Sequence, residues 1–223
     1  MNEQRIRKAI IQLFDTRANS SSLTAAFEEM RICGGRAIAD LAVANGKLEG
    51  FEIKSDADSL RRLPLQQKFY QRVFERMVLV TTLKHLHHAR KQLPSNWGLW
   101  LATQAKGKIR IRKIRSALPN FRLKSLDVLA LLRRSEALEV AMKCGIPSAN
   151  QLSKRKLLEK IRGELCAADV VTAVRNCLKS RSRRAFGFEH VRDGVKRQSS
   201  SKSMHSRGGL EWLLSFQSAG PQR

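Results

Sequence analysis

Two carboxylates and an amine, Asp40, Glu52 and Lys54, stand on two short apolar runs separated by Asn45-Gly46. Carboxylates that face one cavity can seat Mg²⁺ or Mn²⁺, because hard cations prefer oxygen ligands and keep several waters. A divalent ion in such a place acidifies a water and neutralises charge at a phosphoryl group. Lys54 falls on the same strand face as Glu52, since strand side chains repeat with period two. Its ammonium could orient the attacking water or stabilise a pentavalent phosphate. The rival is simple: the pattern Asp…Glu-x-Lys is short, and Glu52 and Lys54 could be ordinary solvated strand residues.

Flanking residues bear on the choice. Glu28 and Glu29 close a short helical pattern over residues 23–30, just before the apolar runs. From there an acidic group, Glu29 by preference, could reach the same metal; either could equally be an exposed helix residue. Gln66 and Tyr70 are spaced i and i+4 on a helical stretch after Lys54, so they share a face. Gln can fix a water or a nucleotide and Tyr can contact phosphate, against the plainer reading of a polar helix edge with a half-buried Tyr. Lys106, Lys108, Arg110, Arg112, Lys113 and Arg115 crowd the last strand-like run. Their alternation suits tracking a phosphate backbone, or else protects an edge strand with charge.

The elements that must position these groups can be read in outline. Residues 1–14 form an amphipathic helix with Ile6, Ile10, Leu13 and Phe14 on one side. Residues 16–22 are a polar loop with a candidate N-cap at Ser22 or Thr24, and Gly34-Gly35 stop the short helix that follows. IADLAV and LEGFEIK around Asn45-Gly46 predict a β-hairpin. A strict two-residue loop would set Asp40 opposite Phe51, pointing away from Glu52. A three-residue loop Ala44-Asn45-Gly46, with Gly46 left-handed in a bulge, sets Asp40 opposite Gly50 and diagonal to Glu52. An odd-length loop or bulge is therefore expected, with Leu41, Val43, Phe51 and Ile53 turned into the core. Residues 59–76 read as helix with Pro64 in its first turn. Residues 77–82 follow as a buried strand, 83–92 as helix, and WGLWLAT and IRIRKI as two further strands. Helices are then expected at residues 126–144, from Ser153 to Leu165, and from Ala167 to Leu178, with Ser153 as an N-cap.

The chain as a whole has 223 residues, 42% of them hydrophobic, enough for a real core. Lys and Arg number 43 against 19 acidic residues, a formal net charge of +24 with a pI near 11.0. Such an excess favours polyanionic partners, nucleic acid above all, because neutralised phosphates release counterions. No window approaches the ~20 apolar residues of a membrane span, and the N-terminus lacks a signal-peptide core. A cytoplasmic location without membrane contact is the expectation. Cys33, Cys144, Cys166 and Cys177 are scattered without C-x-x-C spacing, so neither a zinc site nor a disulfide framework is indicated. His85, His87 and His88 form a cluster in which His85 and His88 share a helix face, but without local acidic or cysteine partners they read as a solvated face. Trp97 and Trp100 fit the core better than a base-stacking platform. The helical segment 126–178 shows no strong recognition-helix pattern of a DNA-binding regulator. Residues beyond about 181, rich in Ser, Arg and Lys, read as a mostly disordered basic tail with one helical turn at 210–216.

The order E…D…E-x-K…Q-x-x-x-Y, carried by Glu29, Asp40, Glu52, Lys54, Gln66 and Tyr70, resembles the PD-(D/E)XK nuclease superfamily in its RecB-type branch. More closely, NGKLEGFEIKSDADSLRRLPLQQKFYQRVFERMVLVTTLKHL with WGLWLA is similar to an uncharacterised bacterial family designated "sce". The similarity covers roughly residues 28–102, and 126–178 more loosely. It implies an α/β fold with a restriction-endonuclease-like core, a central four- to five-stranded mixed sheet flanked by helices, plus a small C-terminal helical region. It further implies Asp40 and Glu52 as metal ligands, Lys54 as catalytic lysine, Glu29 as the acid of the first helix, and Gln66 and Tyr70 as the last motif. Ile38-Ala39 stands where the superfamily name has its proline. The cysteine array of iron–sulfur members is missing, so no cluster is expected. The expected protein is thus a Mg²⁺-dependent nuclease acting on DNA, or a silent DNA- or partner-binding relative. Its expected parts are an α/β domain over 1–124, a helical domain over 125–180 and a tail over 181–223.

Overall fold

Apolar residues at helical spacing near the start of the chain form helix α1, Glu3–Asp15, as its pattern predicts. The computed structural model describes residues 1–15 and 24–185, all within one compact unit of the chain. The 16–22 loop and the turn at 210–216 lie outside the described residues. A six-stranded mixed sheet follows α1, with its strands in sequence order. Strands β1 (Ala25–Ile32), β2 (Ala37–Ala44) and β3 (Leu48–Lys54) form an antiparallel meander. Helix α2 (Leu63–Tyr70) crosses from β3 to the parallel strand β4 (Arg76–Thr81). Helix α3 (Leu83–Gln92) crosses in the same way to β5 (Gly98–Ala105). Strand β6 (Lys108–Arg115) then turns back antiparallel through Lys106-Gly107. Both turn residues have positive φ, 48° and 74°, the backbone that a tight two-residue hairpin demands.

The sheet buries two apolar faces. On one, Ile6 and Ile10 of α1 pack on Leu41, Val43, Phe51, Ile53, Val80 and Trp100. Phe51 is central there, edge-on to Phe14 at 5.6 Å and to Trp100 at 5.3 Å. The other face carries Ala42, Ala44, Leu48, Leu79 and Leu99 under α2 and α3. Helices α4 (Ser125–Leu129), α5 (Arg134–Lys143), α6 (Lys154–Glu164) and α7 (Ala167–Ala185) join that second cluster through Val128, Val140, Leu157 and Val174. The helical segment expected over residues 125–180 therefore shares one core with the sheet. The predicted Ser153 cap is present, its side chain accepting from the Lys156 N–H.

Several expectations are corrected. The sheet has six strands, not four or five. Residues 23–30 were expected as helix, yet Ala25–Ile32 is strand β1. The local preference of Ala-Ala-Phe-Glu-Glu-Met for helix yields to pairing with β2, which runs on both sides of Glu29 and buries Met30 and Ile32. The hairpin loop is odd in length, as argued, but it comprises Asn45, Gly46 and Lys47, with Ala44 paired to Leu48. Gly46 is not left-handed; instead the Asn45 side chain accepts from the Lys47 N–H at 2.9 Å and shapes the turn. Helix α2 is shorter than residues 59–76, with Pro64 at its start as predicted. The single helix expected over 126–144 is broken between α4 and α5, where the Glu136 side chain caps the Arg133 N–H at 2.8 Å. Helix α7 runs to Ala185, so residues 181–185, expected as the start of the tail, are helical.

Gly50 on β3 marks the tightest packing beneath α2. A Cβ there would lie 2.3 Å from Met77 Sδ and 2.7 Å from the ring of Phe74. Met77 can swing away, but Phe74 is fully buried and has nowhere to go. Gly50→Ala should lower stability by about 1–3 kcal/mol through overpacking, measured by chemical denaturation; an unchanged midpoint would count against this packing.

Candidate functional site

The β2–β3 pairing ends at Leu41 opposite Phe51. In frame, the next pair sets Asp40 opposite Glu52, on the sheet face covered by α2. Beyond the last pair, the Ile53 N–H donates to Asp40 Oδ2 at 2.6 Å. A side chain thus takes over from the backbone ladder at this point, and the carboxylate is held between two strands. The expected meeting of Asp40, Glu52 and Lys54 on one face is present, in a register two residues away from the one proposed.

Glu52 lies at the centre and is wholly buried. Its Oε1 accepts from Lys54 Nζ at 2.7 Å and from Gln66 Nε2 at 2.8 Å. Its Oε2 accepts from the Tyr70 hydroxyl at 2.5 Å. That hydroxyl also lies 2.7 Å from the Ile38 carbonyl and receives the second Gln66 N–H at 3.3 Å. The four groups come from two elements, β3 and α2, and the i, i+4 spacing on α2 aims Gln66 and Tyr70 at the same carboxylate. Lys54 is itself nearly buried, at 9% exposure. Burial, aided by the charge of Glu52, raises the Tyr70 phenol above its ordinary range, so it stays a neutral donor.

Asp40 is the titrating member. Burial pushes its carboxyl up to about 7, the charge of Glu52 adds to the rise, and the Ile53 N–H opposes it. Glu3 on α1 contributes too, so a third carboxylate stands within electrostatic reach. Sequence reasoning missed Glu3. Glu29 was expected to be the acid of the first helix, but Ala25–Ile32 is strand β1, and the helix that precedes the sheet is α1, which carries Glu3. Glu29 lies on strand β1 with φ 50°, its side chain 71% exposed and 3.4 Å from the Arg7 guanidinium. Arg7 also pairs with Glu28 at 2.8 Å and with Glu3, tying α1 to β1. Among the described residues no set of three His, Cys, Asp or Glu groups is placed to hold a metal ion. Glu29 is therefore not gathered with Asp40 and Glu52.

The donor set nonetheless suits Mg²⁺. Asp40 and Glu52 offer carboxylate oxygens, and this cation completes its shell with water. Gln66 Oε1 is buried with no donor from the described residues, and a coordinated water would be such a donor.

The basic residues divide between two faces. Lys54, Thr81, Leu101 and Arg112 form one continuous row of paired residues across β3, β4, β5 and β6. Arg112 thus shares a sheet face with Lys54, three strand spacings or roughly 14 Å away. By alternation Arg110 and Lys108 join it, paired to Thr103 and Ala105. Ordinary alternation puts Lys113, next to Arg112 in the chain, on the opposite face, where its ammonium sits 4.8 Å over the Trp100 ring. Lys106 is a turn residue. All four cysteines are free thiols. No helix among the described residues is long and apolar enough to cross a membrane.

Asp40 sets a pH signature for the metal-free protein. Its folded-state value, about 7, exceeds the ordinary 3.8, so the folded state holds a proton that the unfolded chain has released. The stabilisation is full below about pH 4 and is lost as pH rises through about 7. In EDTA the denaturation midpoint should fall from pH 5 to about 8, and Asp40→Asn should remove that slope. Parallel profiles for the two proteins would contradict the assignment.

The model of the family described as Bacteriophage P4 protein cII matches residues 1–204. Protein cII of Enterobacteria phage P4 is 31% identical over 180 residues, covering 79% of this chain and 67% of that protein. No solved structure matches. The matched span runs from α1 through the whole sheet and helices α4 to α7, and on that footing the chain belongs to the bacteriophage P4 protein cII family.

Proposed function

We propose that this protein is a metal-dependent nuclease that hydrolyses DNA phosphodiester bonds. The observation that carries the reading is the convergence of Asp40, Glu52 and Lys54, with Gln66 and Tyr70, on one sheet face. A helix, a three-stranded meander, a crossover helix and a parallel strand agree with the restriction-endonuclease-like core that the resemblance implies. The net charge of +24 and the basic row on β6 suit a polyanionic substrate.

Asp40 and Glu52 would hold Mg²⁺ or Mn²⁺, which when bound supplies charge neutralisation at the phosphoryl group and a more acidic water. The chain's own groups do the rest. Lys54 directs its ammonium at the carboxylate pair, where it can orient the attacking water and offset charge that builds on the phosphate. Gln66 and Tyr70 hold Glu52 in one rotamer. The Ile53 N–H holds Asp40. Arg112, Arg110 and Lys108 would bind the strand away from the reacting bond.

A second reading has its own observation: both Glu52 oxygens are already engaged by Lys54, Gln66 and Tyr70. A nuclease-like module that binds DNA or a partner without turnover would look the same. Calorimetric titration of Mn²⁺ into wild type and Glu52→Ala separates the two, because only a metal site loses its binding heat in the variant.

Asp40→Ala and Lys54→Ala should each cut cleavage of plasmid and linear DNA by on the order of 100-fold or more. DNA affinity should stay within a few fold. Asp40→Ala protein that cleaves as fast as wild type rejects the nuclease reading.

A further inference from the structure

A second cleft, of about 290 Å³, opens between the loop that leaves β3 and helix α3. Its wall includes Asp58, Ser59 and Arg61 from the loop and Lys84, His85 and His88 from the helix. The loop begins at Ser55, directly after Lys54, and its first residue in the wall is Asp58. The His85 ring Nε2 lies 3.1 Å from the Ser55 carbonyl, and a carbonyl only accepts, so this nitrogen carries the proton. The cleft thus sits at the carboxyl ends of the two parallel strands β3 and β4, where crevices in open α/β sheets take their ligands.

The chemistry of the wall selects the ligand's charge. The sole carboxylate, Asp58, is spent on the loop: its Oδ2 accepts from the Ser55 N–H at 2.8 Å and the Ser55 hydroxyl at 2.5 Å. Lys84 donates to the Asp56 carbonyl at 2.6 Å, and an ammonium has three donors. Arg61 is an exposed guanidinium with five donors. His85 and His88, which read as a solvated helix face in the sequence, both line this wall. A divalent cation would meet two permanent positive charges here, and a hydrophobic ligand would find Leu60 as the one aliphatic residue of the wall. An oxyanion would meet donors on both sides.

We infer that this cleft is a phosphate-binding subsite that holds a phosphate of the nucleic acid next to the candidate catalytic groups. The inference rests on the nuclease reading for its biological substrate, but phosphate recognition stands on the cleft alone. Two sources share the chemistry: a terminal phosphate monoester and a backbone phosphodiester. A terminal phosphate would make the protein act from strand ends. A backbone phosphate would serve to set register on the strand.

The test is binding in EDTA, where metal-dependent cleavage does not run. Fluorescein-labelled DNA oligonucleotides with a 5′-phosphate, a 3′-phosphate or hydroxyls at both ends are titrated with the full chain at fixed salt. Three proteins are compared: wild type, Lys84→Ala/His88→Ala, and Lys160→Ala as a control for charge removed elsewhere on an exposed helix position. The double variant should lose about tenfold or more in affinity relative to the control, and millimolar inorganic phosphate should compete for wild type and the control but not for the double variant. A loss confined to one phosphorylated end assigns the cleft to that monoester, and a loss shared by all three oligonucleotides assigns it to the backbone. Equal affinities for the double variant and the control overturn the subsite. The nuclease reading fails by a different result, full cleavage by Asp40→Ala, which leaves this binding measurement unaffected.

Discussion

The buried carboxylate of Glu52 is the interaction on which the rest of this molecule is arranged. A charge withdrawn from water must be paired and hydrogen-bonded, or its desolvation outweighs every gain. Here Lys54 supplies the opposite charge and Gln66 and Tyr70 supply neutral donors. Those donors sit on α2, so satisfying Glu52 fixes that helix over β3. The hydroxyl of Tyr70 reaches on to the Ile38 carbonyl and ties β2 to the same helix. Replacing the network with hydrocarbon would cost the fold little in principle. Its presence in a core built mainly of aliphatic and aromatic side chains is what makes the place a candidate site.

Asp40 depends on the same carboxylate in a different way. Glu52 repels a second negative charge, and burial adds to that penalty, so Asp40 carries a proton near neutral pH unless a cation joins it. The backbone opposes this with a single N–H, from Ile53. Two acids that repel one another in this way are costly for the metal-free fold. The parting of β2 from β3 beyond Leu41 makes this placement sterically feasible.

Positive charge is distributed by the sheet's register rather than by abundance. Of the basic residues on β6, Lys108, Arg110 and Arg112 share the face of Lys54, while the period-two alternation of the strand sends Lys113 to the other side. Neighbouring basic residues of equal charge therefore face different partners. On the same end of the sheet, helix α3 brings Lys84, His85 and His88 against the loop after β3. Those groups come from a segment whose own pattern says only that it is helical and polar.

Much of the fold was legible in the residues. Strand β4, helix α3, the hairpin around Asn45-Gly46 and the two later strands follow from apolar runs and turn residues, because burial and turn geometry there are local demands. Strand β1 was not legible, since Glu28 and Glu29 sit in a stretch of good helix formers and only pairing with β2 makes it a strand. The candidate site divides along the same line. Asp40, Glu52, Lys54, Gln66 and Tyr70 are visible from type and period, since alternation on a strand and i, i+4 spacing on a helix place each group on a face. Glu3 was invisible, because its charge reaches Asp40 only once α1 folds across the sheet. By itself, then, the sequence determined which groups share a face within an element, a matter of backbone period. Tertiary structure alone decided which elements bring their faces together, and which further acid comes within electrostatic reach of Asp40. Those outcomes depend on strand order and register, which are set by contacts between residues far apart in the chain.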